Sequence, residues 1–281
     1  MLRRTGIAIV VGVVALAGAA AAAVLTINRP VTVSETADRV VPPLPLFTAA
    51  PPSGPDGVPT ASSTGPRVAN PAQLGRVEVH GTENLTDVVL DSIIIYPGGQ
   101  LTARNIRVTG SLVVLPETGA PVTKVHLIDS AVHSGTTINV STPNGVLDLN
   151  NEVPVDIFVS GSWLNHPHDA TKTWHTEAVA GFGRPQGARF INTAFIQEGP
   201  FNGTATAAIN WHGADTVFDG CYFGYTGGTA AYYTVYVEGR NNIVKNSTFA
   251  VGLAGYVYPD SNPKATYSGI VDAAGGAPVH I

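Results

Sequence analysis

The sequence predicts an all-β solenoid carried behind an apolar N-terminal helix and a disordered linker. Three observations support this. A short β-branched phrase recurs along the chain from about residue 74. No stretch after residue 30 keeps helical spacing over three turns. The first 73 residues have a different composition from everything that follows.

Residues 1–28 come first. "MLRR" is a positively charged start, and Ile7–Leu25 then runs without a charge. That length is close to the roughly 20 residues that span a bilayer. Its second half, "AGAAAAA", is the small-residue sequence that signal peptidase accepts. The segment reads as a signal peptide or a signal anchor, and in both cases the body is exported. The expected location is extracellular, or the outer face of the cytoplasmic membrane. Residues 29–73 are rich in Pro, Ala, Ser and Gly and show no period of 2 or 3.6. Such a stretch buries too little apolar surface to offset its ordering entropy, so it reads as a linker.

From 74 to 281 the phrases are "VVLDSII", "IRVTGSL", "VHLIDSAV", "IFVSGSWL", "ARFINTAF", "TVFDGCYF" and "NIVKNSTF". Each places two alternating apolar residues before a turn residue, then a small residue, then another apolar one. The closing residues are Ile94, Leu112, Val132, Leu164, Phe195, Phe223 and Phe249. Imperfect self-similarity at a period of roughly 20–30 residues marks a solenoid. A single coil cannot hide its apolar face, but stacked coils form a continuous core. Asn, Asp and Gly at the turns tolerate left-handed backbone. A C-terminal cap is expected from about residue 250.

The 281 residues carry a net charge of −5 and only four lysines. That excludes a duplex nucleic-acid binder, which needs a concentrated basic face. It leaves the membrane to the N-terminal segment alone, if that is uncleaved. Cys221 is the single cysteine, so no intrachain disulfide is available. Its apolar setting, "VFDGCYF", predicts a buried and inert thiol.

The recurring "F-x-N-x-x-F" and "V-x-x-N-S-x-F" phrases resemble the coils of right-handed parallel β-helix proteins of the pectate-lyase-like group, over about residues 75–250. The Pro-rich segment followed by such a domain resembles exported actinobacterial and phage tail proteins of this kind. The resemblance implies fold more than activity, because one β-helix hosts lyases, hydrolases, adhesins and tailspikes. That family holds calcium on stacked aspartates and uses an R-x-P-x-x-R arginine. Here "RPQGAR" (184–189) has its proline one place early, "WHTE" (174–177) replaces the family's tryptophan signature, and no stacked aspartate cluster is visible.

The longest coils hold "LNHPHDATK" and "TWHTEAVAGFG". His166, His168, Asp169, His175 and Glu177 lie there, with Trp163 and Trp174. Later coils supply "AAINWHG" and "YTVYVEG". If the three stack, His175 and Glu177 share a face with Asn210, His212, Tyr236 and Glu238. Glu177 and Glu238 would then be about 9–10 Å apart, at the wide end of the carboxylate spacing for glycoside hydrolysis. A lyase would use His175 or His212 as base, with Arg184, Arg189 or Arg240 holding a uronic carboxylate. Trp163, Trp174 and Trp211 could stack on sugar or serve the core, and Tyr236 is a further candidate for binding substrate. His166 and His168 lack standard zinc spacing and read as loop residues, so no metal site is expected. The sequence names no cofactor. The expected partner is extracellular polysaccharide, with cleavage left open. The competing reading is a structural or adhesive spacer on a cell surface or phage tail.

Overall fold

A computed structural model of the chain describes residues 72–167, 177–198, 207–226 and 231–281. The expected leader and nearly all of the expected linker lie outside these residues, as do His168, Asp169, Trp174 and His175. Within them the protein is all-β, and one short 3-10 helix, Pro259–Lys264, is the only described helix. No described helix is long and apolar enough to cross a membrane.

The strands form two sheets among the described residues, and every pairing between named strands is parallel. The nine-stranded sheet runs Thr82–Thr86, Gln100–Arg104, Thr123–Ile128, Glu152–Ser160, Arg189–Ile191, Val217–Asp219, Asn242–Lys245, Ala265–Ser268, with Arg184–Gln186 also paired to Glu152–Ser160. The 15-stranded sheet has two arms that meet at Val88–Ile95. The end of that strand pairs with Leu112–Val114 and opens the first arm, which continues through Thr136–Asn139, Val179–Phe182, Ile209–Trp211, Tyr233–Val237 and Gly255–Val257. Its start pairs with Arg107–Val108 and opens the second arm: Ala131–Val132, Trp163–Pro167, Ala194–Glu198, Tyr222–Thr226, Thr248–Phe249, Val271–Asp272. The chain visits the first arm, the nine-stranded sheet and the second arm in turn. Parallel partners separated by such crossovers are compatible with a β-helix. Strands continue past residue 250 into all three rows.

Side-chain size and register build the core. Leu90, Val108, Val132, Leu164, Phe195, Phe223 and Phe249 are successive partners along the second arm. Phe195 and Phe223 stack at 4.8 Å, and Phe190 stacks on Phe218 at 5.0 Å in the nine-stranded sheet. Burying each such ring contributes about 2–3 kcal/mol. The last five closing residues of the repeat fall in this column as expected, but Ile94 and Leu112 do not. Val88–Ile95 serves both arms, so its phrase runs straight through where later ones turn. The first two members of the column are Leu90 and Val108 instead.

The turn into the second arm is made by Asp87, Asn105, Asp129, Gly161, Asn192, Gly220, Asn246 and Gly269, all with φ between 46° and 63°. Residues that tolerate left-handed backbone are required there. At five of these eight turns the residue that follows carries a second ladder. Ser130, Ser162, Thr193 and Ser247 each donate a hydroxyl hydrogen bond to the carbonyl two residues back. Ser130 accepts the amide of Ile106, Ser162 that of Ser130, and Ser247 that of Cys221. Cys221 occupies the same position in this ladder, and its thiol faces the Phe190 carbonyl at 3.3 Å.

Candidate functional site

The outer face of the first arm is set by strand alternation. Trp211 is paired with Gly181 on one side and Val237 on the other, and the same register joins Ala180, Asn210 and Tyr236. Odd positions of Ile209–Trp211 therefore face the core. Trp211 is 0% exposed, and its indole N–H donates to the Thr216 hydroxyl at 2.9 Å. A Cβ on Gly181 would lie 2.4 Å from the Trp211 ring, so the glycine makes room for it. Trp211 is thus a core residue, out of reach of a ligand on the outer face.

His212 and Glu238 follow these buried positions and turn outward. His212 Nδ1 lies 3.0 Å from one Glu238 carboxylate oxygen, and the Tyr236 hydroxyl donates to the other at 2.7 Å. Burial, and then Glu238, raises the Tyr236 phenol above its usual range, so it stays a donor. A carboxylate facing Nδ1 favours the proton on that nitrogen. Asn210 sits beside them, only 5% exposed, with its carbonyl oxygen lacking a partner among the described residues.

Aromatic rings continue from this site in a series of contacts. From Phe182 to His212 the centroids are 6.2 Å apart, and from His212 to Tyr236 6.0 Å. Tyr236 stacks on Tyr258 at 4.2 Å, Tyr258 meets Tyr233 at 5.4 Å, and Tyr233 meets Tyr232 at 5.1 Å. Six rings form one continuous run.

Next to the run is a cavity of about 480 Å³, lined among others by Glu152, Arg184, Glu238, Arg240, Asn241 and Thr266. Arg240 reaches Glu152 through Nε at 2.9 Å and through Nη2, and Asp215 through Nη1 at 3.3 Å. Asp215 also accepts from Gln186 at 2.7 Å and Asn241 at 2.9 Å, and these bonds hold its carboxyl below the usual range. Gly239 closes the floor: a Cβ there would lie 1.6 Å from the Gly213 carbonyl. The buried Asn242 amide then donates to the carbonyls of Gly213 and Gly239, both at 2.8 Å, and accepts from Thr216 N–H.

The structure brings Asn210, His212, Tyr236, Glu238, Arg184 and Arg240 to one region. Glu177 is not on that face. The register pairs Phe182 with the row of His212, five residues beyond Glu177, which lies before the strand and is 2% exposed. The "WHTE" and "NWHG" phrases look alike, but Glu177 comes before the strand, which begins at Val179. The Glu177–Glu238 pair is accordingly replaced by Glu152 and Glu238. Arg189 lies on the nine-stranded sheet, its guanidinium 5.5 Å from the Phe158 ring centre, and does not line the cavity. His166 sits in the second arm, paired in register with Gln197. Among the described residues no group of three His, Cys, Asp or Glu could hold a metal ion.

Glu152, Asp215, Phe182 and Tyr258 were not visible as site residues in the sequence. Tyr258 could have been found by continuing the stack one strand further, to "GYVY". Glu152 stands 88 residues from Arg240 and has no local signal. No protein-family model matches the chain, and no match was found to a curated protein or a solved structure.

Proposed function

We propose that the chain is an exported right-handed parallel β-helix that binds extracellular polysaccharide along the first arm. The parallel rows visited in turn support a β-helix, and crossovers between parallel strands are right-handed in nearly all proteins. The observation that carries the binding reading is the six-ring aromatic run beside a polar cavity. Tyrosine faces stack on the apolar faces of sugar rings, while carboxylates, amides and guanidinium groups take the hydroxyls. Glu238, His212 and Asn210 supply acceptors and donors, and Arg184 lines the same cavity as Glu238. Binding is favoured over hydrolysis because the second carboxylate of the cavity, Glu152, is occupied by Arg240. A carboxylate held this way is a poor base or nucleophile.

Titration calorimetry against a panel of extracellular polysaccharides tests the reading. Glu238→Gln and Tyr258→Ala should each weaken binding of the recognised glycan about tenfold, or ~1.4 kcal/mol. Binding unchanged in both variants, or no glycan bound by the wild type, would overturn it.

A further inference from the structure

Residues 142–151, "TPNGVLDLNN", hold one ionisable group, Asp148, and three aliphatic side chains, Val146, Leu147 and Leu149. Burial is inverted here. Asp148 is 6% exposed, while the three aliphatic residues are between 43% and 64% exposed. The Asp148 carboxylate accepts from the backbone amides of Asn150 and Asn151 at 2.9 and 3.0 Å, and from the Asn151 side chain at 2.9 Å. Those bonds hold its carboxyl below the usual range. With that charge satisfied internally, Val146, Leu147 and Leu149 face water without an ionic group among them. Exposed aliphatic side chains gathered on one loop mark a contact surface.

The loop stands at the rim of the candidate site. Ser141 pairs antiparallel with Leu147, and the Asp148 N–H donates to the Val140 carbonyl at 3.0 Å. The Val140 N–H donates in turn to the Phe182 carbonyl at 3.3 Å. A Cβ on Gly183 would lie 2.6 Å from Val140 Cβ and 2.7 Å from the Asp148 carbonyl oxygen, so the base of the loop rests on this glycine. Gly183 joins Phe182, in the aromatic run, to Arg184, on the cavity wall. Three residues beyond Leu149 the chain reaches Glu152 on the same wall.

Size and charge select the occupant. Stable protein interfaces take roughly 20–30 residues a side, far more than three side chains provide. Residues 142–151 contain no cation to attract an anionic lipid surface. A single alkyl or acyl chain needs only a short apolar strip, and it gains with each methylene it buries. We propose that Val146, Leu147 and Leu149 form an apolar subsite that takes an acyl chain carried by the glycan in the neighbouring cavity. That the chain arrives on a glycan rests on the binding reading above; the affinity of the subsite for hydrocarbon does not.

Photolabelling of the full chain in phosphatidylcholine nanodiscs gives the test. The probe is octyl glucoside with a diazirine at the end of its tail, and labelled peptides are identified by mass spectrometry. The expected result is labelling within residues 142–151, suppressed by excess plain octyl glucoside but not by methyl glucoside. It should fall about tenfold in Leu147→Ser/Leu149→Ser, a variant that alters exposed positions and leaves the core intact. No labelling of the loop, or equal labelling of the variant, overturns the proposal. Labelling by a diazirine-tailed phosphatidylcholine in the disc, and not by the glucoside, also overturns it and assigns the loop to the bilayer surface. Failure of every polysaccharide in calorimetry would leave the loop labelling in place, and loss of the labelling would leave the calorimetry in place, so the two readings fail separately.

Discussion

Cys221 shows how much one position is determined by its neighbours. It stands where Ser130, Ser162, Thr193 and Ser247 stand in their own rows, and burial pushes its thiol up to about 12. Iodoacetamide should label it only after unfolding, and Cys221→Ser should change stability by less than about 1 kcal/mol. Rapid labelling of the native protein would contradict the burial. His133 is the other informative residue. Burial, and then the nearby Arg107 guanidinium, lower it to about 4, and its ring meets Trp163 edge-on at 5.1 Å. Because the unfolded chain binds that proton more tightly, stability is complete above about pH 6.5 and falls as the pH drops toward 4, by up to about 3 kcal/mol. Urea midpoints measured between pH 7 and 4 should show this loss, and His133→Gln should flatten it. The inert thiol was legible in the sequence from its apolar setting. The depressed histidine was not, since nothing near His133 announces the covering that desolvates it.

At the scale of strands and turns, the periodicity of the phrases was readable because small, turn-forming and apolar residues each have one place in a row. The register between rows was not. A slip by two residues keeps the same side chains on each face, and "TWHTE" looks as much like "INWHG" as the latter's true partner "VAGF" does. In the folded chain Gly181 faces Trp211. The turn ladder makes a direct prediction. Ser247 accepts the Cys221 amide at 3.1 Å and donates to the Lys245 carbonyl at 2.7 Å. Ser247→Ala leaves that buried N–H without a partner and should cost about 1–3 kcal/mol. Ser247→Thr keeps the hydroxyl and should cost less; equal losses in denaturant titrations would argue that packing alone is at work.

For the described protein as a whole, stability is assembled between nearest rows. Asn105 reaches back 18 residues to Asp87, and Ser162 reaches 35 to Leu127. Amide exchange should therefore be graded, fastest in the edge strands Thr82–Thr86 and Ala265–Ser268 and slowest in Arg189–Ile191 and Val217–Asp219. Mass-spectrometric exchange that showed one uniform rate would count against independent rows. The candidate site was half legible at this scale. His212, Tyr236 and Glu238 announced themselves as polar groups closing apolar strands, while the cavity wall came from Glu152, far away in sequence.

That distant residue has one more consequence. Its hold on Arg240 bridges 88 residues, where the other described side-chain bonds mostly reach across 35 or fewer. A molecule fastened only row to row can peel from either end like a stack of loose rings. The Glu152–Arg240 clasp stitches across several of them at the very spot where a ligand would pull, so the C-terminal rows should resist being drawn apart under load.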